Sequence, residues 1–260
     1  KKIMCMSYWP KEGEPLWSRY STHAVAHTVE VFSRYTFDYP YPVAISVNAP
    51  IGGMEYPMLC WQRPRPEKDG TYSKNTKYGL ISVIIHEVGH NWFPMIVGSD
   101  ERRYAWMDEG FNSYLNTFSN VTFYDENEDP TIAGYGQSDQ ARVIRLTEGP
   151  AAADFMQQPY SADQPIVTYP DRIRPQALGW LAYRKPAKGL LLLRNEVVGP
   201  ERFDAAFREY IERWAYKHPQ PADFFRTIED VTGEDLDWFW RGWFYTTDTF
   251  DQALTALTVA

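Results

Sequence analysis

The fold class predicted by this sequence is α+β and mainly helical, and three observations lead to it. Apolar residues recur at helical spacing along most of the chain, one short β-branched run lies between prolines, and a histidine pair four residues apart sits inside a long apolar helix. At 260 residues, the chain is long enough to bury a substantial core.

Taken in order, the elements follow from local signals. Trp17 to Thr36 is predicted to be a helix, with Val25, Ala26, Val29 and Phe32 on one face. Tyr39-Pro40-Tyr41-Pro42 breaks it, and Val43 to Val47 is a strand by its β-branched, apolar content. Asn48 to Cys60 is predicted to be a sheet-edge segment containing the pair Gly52-Gly53. Prolines and charges from Arg63 to Asp69 mark a surface loop before the histidine-bearing helix. Asn91-Trp92-Phe93-Pro94 continues that helix's apolar face until proline ends the ladder.

A second helix is expected over about Asp108 to Ser119. Thr122 to Arg174, rich in Asp, Gly, Gln and Pro, is expected to mix short helices with long loops that frame a cleft. From Pro175 onward the pattern is helical again. Leu190 to Leu193 lies in a buried helix ended by Gly199-Pro200, and Glu201 to Lys217 forms an amphipathic one. Pro221 opens a further helix, and Leu236 to Tyr245 is tryptophan-rich. Gln252 to Val259 alternates as a strand would. The expected organisation is one catalytic domain over 1–248, with lobes 1–121 and 122–248, and the beginning of a further element over 249–260.

Composition narrows the function classes. A net charge of -8, with no long basic run, argues against nucleic acid as a partner. Cys5 and Cys60 are too few for a disulfide framework; one bridge or two thiols remain open, and thiols are favoured at equal exposure. No apolar stretch is long enough for a membrane span. The run after Lys1-Lys2 is too short for a signal peptide, and a start without methionine suggests a processed or excised piece.

The chemistry concentrates in His86-Glu87-Val88-Gly89-His90, followed by Glu109 in Trp106-Met107-Asp108-Glu109-Gly110-Phe111. Histidines at i and i+4 share a helix face and can reach a single zinc ion. Glu109 from a second helix is the third ligand, and the fourth tetrahedral position stays open, as in catalytic sites. Such a site lowers the pKa of a water toward neutrality. Glu87 projects beside the ligands without being one, placed to take the water's proton and pass it to the leaving amine. The chain has five histidines, and two of them fall in this pentad.

In these residues and in two further blocks, the sequence resembles the gluzincin zinc aminopeptidases, the group typified by aminopeptidase N and leukotriene hydrolase. Gly52-Gly53-Met54-Glu55-Tyr56 is similar to that family's exopeptidase motif, and Tyr183-Arg184-Lys185 to its catalytic-tyrosine segment. The resemblance implies a thermolysin-like zincin catalytic domain, with a small mixed sheet and a helical lobe, holding one zinc ion. It implies that Glu55 binds the free α-ammonium of a peptide, that Gly52 and Gly53 admit the substrate backbone to an edge strand, and that Tyr183 stabilises the oxyanion. Met54 and loop residues between Thr122 and Arg174 are candidates for contact with the first side chain. Tyr56 stands where asparagine is usual, and Gly53 where alanine is commoner. Family members carry an N-terminal β-rich domain and often C-terminal ones, for which this chain has no room. The reading is therefore a zinc aminopeptidase acting on peptides with a free N-terminus. A thermolysin-like endopeptidase and a non-catalytic binding module that keeps the fold stand as alternatives.

Overall fold

The computed structural model describes residues 2–126 and 164–247. The expected strand over Gln252 to Val259 lies outside the described residues, as does most of the segment expected to frame the cleft.

The first half builds a small sheet covered by helices. Strands β1 (Met4–Tyr8), β2 (Val43–Asn48), β3 (Gly53–Met54) and β4 (Leu59–Gln62) lie in the order β1-β2-β4-β3. The first three neighbours run parallel, with Met4 opposite Val43 and Ile45 opposite Leu59. β3 runs antiparallel to β4, with Gly53 opposite Gln62. The sheet is therefore mixed, and its edge at β3 begins at Gly53 as expected, whereas Leu59 and Cys60, also expected at the edge, lie in the inner strand β4.

β1 was not anticipated. Met-Cys-Met-Ser-Tyr lacks β-branched residues, and its pairing partner arrives only after helix α1 (Leu16–Tyr35) has crossed over. α1 buries Leu16, Trp17, Ala24, Val25 and Phe32 completely. Its buried hydroxyls are satisfied within the helix: Ser21 donates to the Trp17 carbonyl at 2.7 Å and Thr28 to that of Ala24 at 2.6 Å. Cys5 and Cys60 are both free thiols, the second buried.

Helix α2 (Lys74–Gly89) starts at Ser73, whose side chain accepts the Thr76 amide at 3.0 Å and so caps an orphan donor. Leu80, Ile81, Ile84, Ile85 and Val88 bury its inner face. Its ladder ends at Gly89, before the expected proline stop. The reason is local: Asn91 donates its side-chain amide to the Val88 carbonyl at 2.9 Å, competing with the backbone. Trp92 and Phe93 are fully buried, but from turns rather than from helix.

The second expected helix begins earlier and runs longer than predicted. Trp106–Gly110 winds as a wide π-type turn and continues into α3 (Phe111–Glu126). The other lobe comprises a second wide turn (Gly179–Arg184), α4 (Lys185–Leu192), α5 (Pro200–Trp214), α6 (Pro221–Thr232) and α7 (Asp237–Trp240). Past α4 the chain continues as a wide turn over Leu193–Val198, and Gly199, at φ +93, a backbone that side chains resist, separates it from α5. α6 has a reciprocal capping box between Gln220 and Asp223.

One apolar core runs from Leu16 to Phe244 through both halves. Part of it is a connected set of aromatic rings. Trp106 stacks on Phe225 at 5.9 Å and meets Phe111 and Phe244, while Phe225 stacks on Trp240 at 4.5 Å. Part of the 16% aromatic content thus packs against the turn that carries Glu109. No described helix is long and apolar enough to cross a membrane.

Candidate metal centre

The last turn of α2 presents His86 and His90, whose rings meet edge-on at 4.6 Å between centroids. Their Nε2 atoms are 3.1 Å apart. The turn before α3 brings Glu109 over them, its Oε2 lying 3.0 Å from His86 Nε2 and 3.3 Å from that of His90. Three ligand atoms so close, two of them imidazole nitrogens, are a donor set suited to zinc. Bonds of about 2.0–2.1 Å to a tetrahedral ion would separate ligand atoms by roughly 3.3 Å.

Surrounding groups orient these ligands. His90 Nδ1 lies 2.7 Å from the Phe93 carbonyl, which takes its hydrogen bond and leaves Nε2 turned to the other ligands. Asp108 Oδ1 is 2.9 Å from the same nitrogen, and this carboxylate favours the charged ring. Asn112 donates to the His86 carbonyl at 2.8 Å and pins the helix end. A Cβ on Gly89 would collide with Asn112 and Phe32, so glycine permits this close approach.

Electrostatics follow from that packing. Burial holds His86 below its ordinary value. Burial opposes the charged form of His90, but Asp108 and Glu109 outweigh it and raise its pKa. Burial also opposes the Glu109 carboxylate, yet bonds from the two histidines hold it well below the usual range. Glu87 is pushed up to about 8, chiefly by burial. Its Oε2 is buried without a protein partner, and its Oε1 sits where a Cβ on Gly53 would be. The edge strand therefore touches the carboxylate next to the ligands.

The remaining predicted residues converge on the same place. Tyr183, from the Gly179–Arg184 turn, donates to Glu109 Oε1 at 2.6 Å and stacks on His86 at 5.7 Å. Glu55 brings its carboxylate within 4.8 Å of a ring nitrogen of His90 and an oxygen of Asp108. Gly52, Gly53 and Met54 are exposed along β3. Tyr56, in place of the usual asparagine, packs its ring on Trp61 at 5.1 Å. Beyond it, the Met58 amide donates to the Asn91 side chain at 2.9 Å, tying the β3–β4 connection to the end of α2. Asp108, Asn112, Asn91 and the Phe93 carbonyl were not anticipated. Only Asp108, adjacent to Glu109, carried a signal in the sequence.

A small mixed sheet under helices thus brings two imidazoles and a carboxylate together at its edge, a group that could hold one metal ion. The chain matches the Peptidase family M1 domain over residues 20–243 and belongs to that family. It is 28% identical over 222 residues to an aminopeptidase N of Plutella xylostella, covering 80% of this chain and 21% of that protein. An M1 zinc metallopeptidase from Deinococcus radiodurans shares its fold with a TM-score of 0.60 at 18% identity, covering 91% of this chain and 46% of that one. Yeast LTA4 hydrolase, solved with bestatin, does so with a TM-score of 0.63 at 19% identity, covering 93% and 38%. The chain thus spans under half the length of these proteins.

Proposed function

We propose that the protein is a zinc-dependent aminopeptidase with a thermolysin-like catalytic domain, releasing the first residue of peptides that have a free N-terminus. His86, His90 and Glu109 hold the ion, which when bound supplies Lewis acidity and lowers the pKa of a water. Glu87 takes the proton of the attacking water and passes it to the leaving amine; its buried position favours a carboxyl that both accepts and returns a proton. Tyr183 hydrogen-bonds the oxyanion of the tetrahedral intermediate, its phenol kept protonated by burial and by Glu109. Gly52 and Gly53 give the peptide backbone a bare edge to lie against.

The observation that carries this reading over an endopeptidase is Glu55. A half-buried carboxylate within 4.8 Å of His90 and Asp108 sits where a charged amine is well served and a continuing chain is not. Matched peptides with free and N-acetylated ends test it. The free peptide is expected to be cleaved and the acetylated one spared, whereas equal cleavage of both would make the enzyme an endopeptidase.

A further inference from the structure

Just past the glycine pair the sheet edge opens into a cavity of about 580 Å³, lined by Ala49, Pro50, Gly52, Arg63, Pro64 and Arg65. In a chain with a net charge of -8, this cavity has two arginines and no carboxylate among its described lining residues. Both arginines are exposed at the surface, but their backbone is held. The Arg63 amide donates to the Gly52 carbonyl at 3.1 Å, and the buried Trp17 indole donates to the Pro64 carbonyl at 2.8 Å. Arg65 donates through Nε to the Asn48 side chain, which itself donates to the Gln62 carbonyl at 3.0 Å. Arg63 has no ion-pair partner among the described residues.

The position of this cavity along β3 gives it meaning. It rests on the aminopeptidase reading: the amine lies at Glu55, and the cleaved bond lies where Gly53 meets Glu87. A peptide stretched along the edge from Glu55 past Gly53 next reaches Gly52 and the cavity. At about 3.3 Å per extended residue, its second residue lies beside the glycine pair and its third over Arg63 and Arg65. We propose that this cavity is a subsite for a carboxylate on the third residue of the substrate, held by the two guanidinium groups. The carboxylate has two sources, an Asp or Glu side chain or the C-terminus of a tripeptide.

Kinetics on the zinc-loaded complete protein test the subsite with two pairs of free-amine peptides. One pair has Asp or Asn as third residue before an amidated end; the other is a tripeptide ending in a free carboxylate or an amide. In at least one pair the acid is expected to have a kcat/KM about fivefold above its amide, expressed in KM and shrinking as salt rises. The pair that shows it identifies the source. Arg63→Gln with Arg65→Gln brings the ratio to about one. Cleavage of all four peptides at equal efficiency, or a ratio unmoved by the two substitutions, overturns the subsite alone. Failure to cleave any of them overturns the aminopeptidase reading, and the subsite with it.

Discussion

The two walls of the site are built to different standards. The wall of α2 and the Trp106–Gly110 turn is buried, backed by Trp106, Phe111, Phe225 and Phe244, and its ligands are steered by Phe93, Asp108 and Asn112. The opposite wall, β3, is two residues long and exposed, tied to the helix end by the hydrogen bond from Met58 to Asn91. Groups that grip an ion must hold one geometry to within fractions of an ångström, and dense packing supplies that. A surface that receives successive peptides needs free backbone and room instead. Under the aminopeptidase proposal, catalysis falls to the first wall and recognition to the second.

Changes on the buried wall are expected to have the largest effects. Glu87→Gln should lower kcat by about 10³-fold or more while zinc content stays at one per chain. Turnover of an aminoacyl anilide alongside metal analysis checks both, and near-wild-type turnover would remove Glu87 from its role. Stripping the metal with a chelator should abolish turnover and lower the melting temperature, because an ion bound only by the folded state stabilises it. Readdition of zinc should restore both. Trp106→Ala removes a ring that is 1% exposed and should cost about 3–5 kcal/mol, read by denaturant unfolding. If stability is unchanged, the aromatic backing is not what supports the ligand turn.

The recognition wall should respond more mildly. Asn91→Ala deletes the bonds to the Met58 amide and the Val88 carbonyl, and should cost about 1–2 kcal/mol. Its signature should be a raised KM for free-amine peptides with a smaller change in kcat. A change confined to kcat would mean that Asn91 supports the ligand helix and not the β3–β4 connection.

How much of this was legible in the sequence depends on distance along the chain. The histidine pair needs only helix geometry to be brought together, so it could be read directly, and Glu109 could be read beside it from its place between Trp106 and Phe111. The strand Val43–Asn48 and the edge carrying Gly53 were visible in β-branching, glycine and proline. β1 was not, since only its pairing across α1 makes Met4–Tyr8 a strand. Tyr183 meets Glu109 across 74 residues, and nothing local distinguishes it from the other tyrosines. Only likeness to a family singled it out. The early end of α2 turned on Asn91, whose side chain has to be seen bonding Val88 and Met58. The wide turn at Trp106–Gly110 has no local signal that separates it from ordinary helix.

The proposed chemistry requires two imidazoles and one carboxylate to share a single cation. X-ray absorption at the zinc edge of the complete, metal-loaded protein tests it most directly. One zinc per chain is expected, four-coordinate, with nitrogen and oxygen neighbours at about 2.0–2.1 Å, two of them showing the outer-shell scattering of imidazole rings. His90→Ala should reduce that to one ring or lose the metal. A spectrum with sulfur ligands, or with no imidazole signature, would contradict the claim.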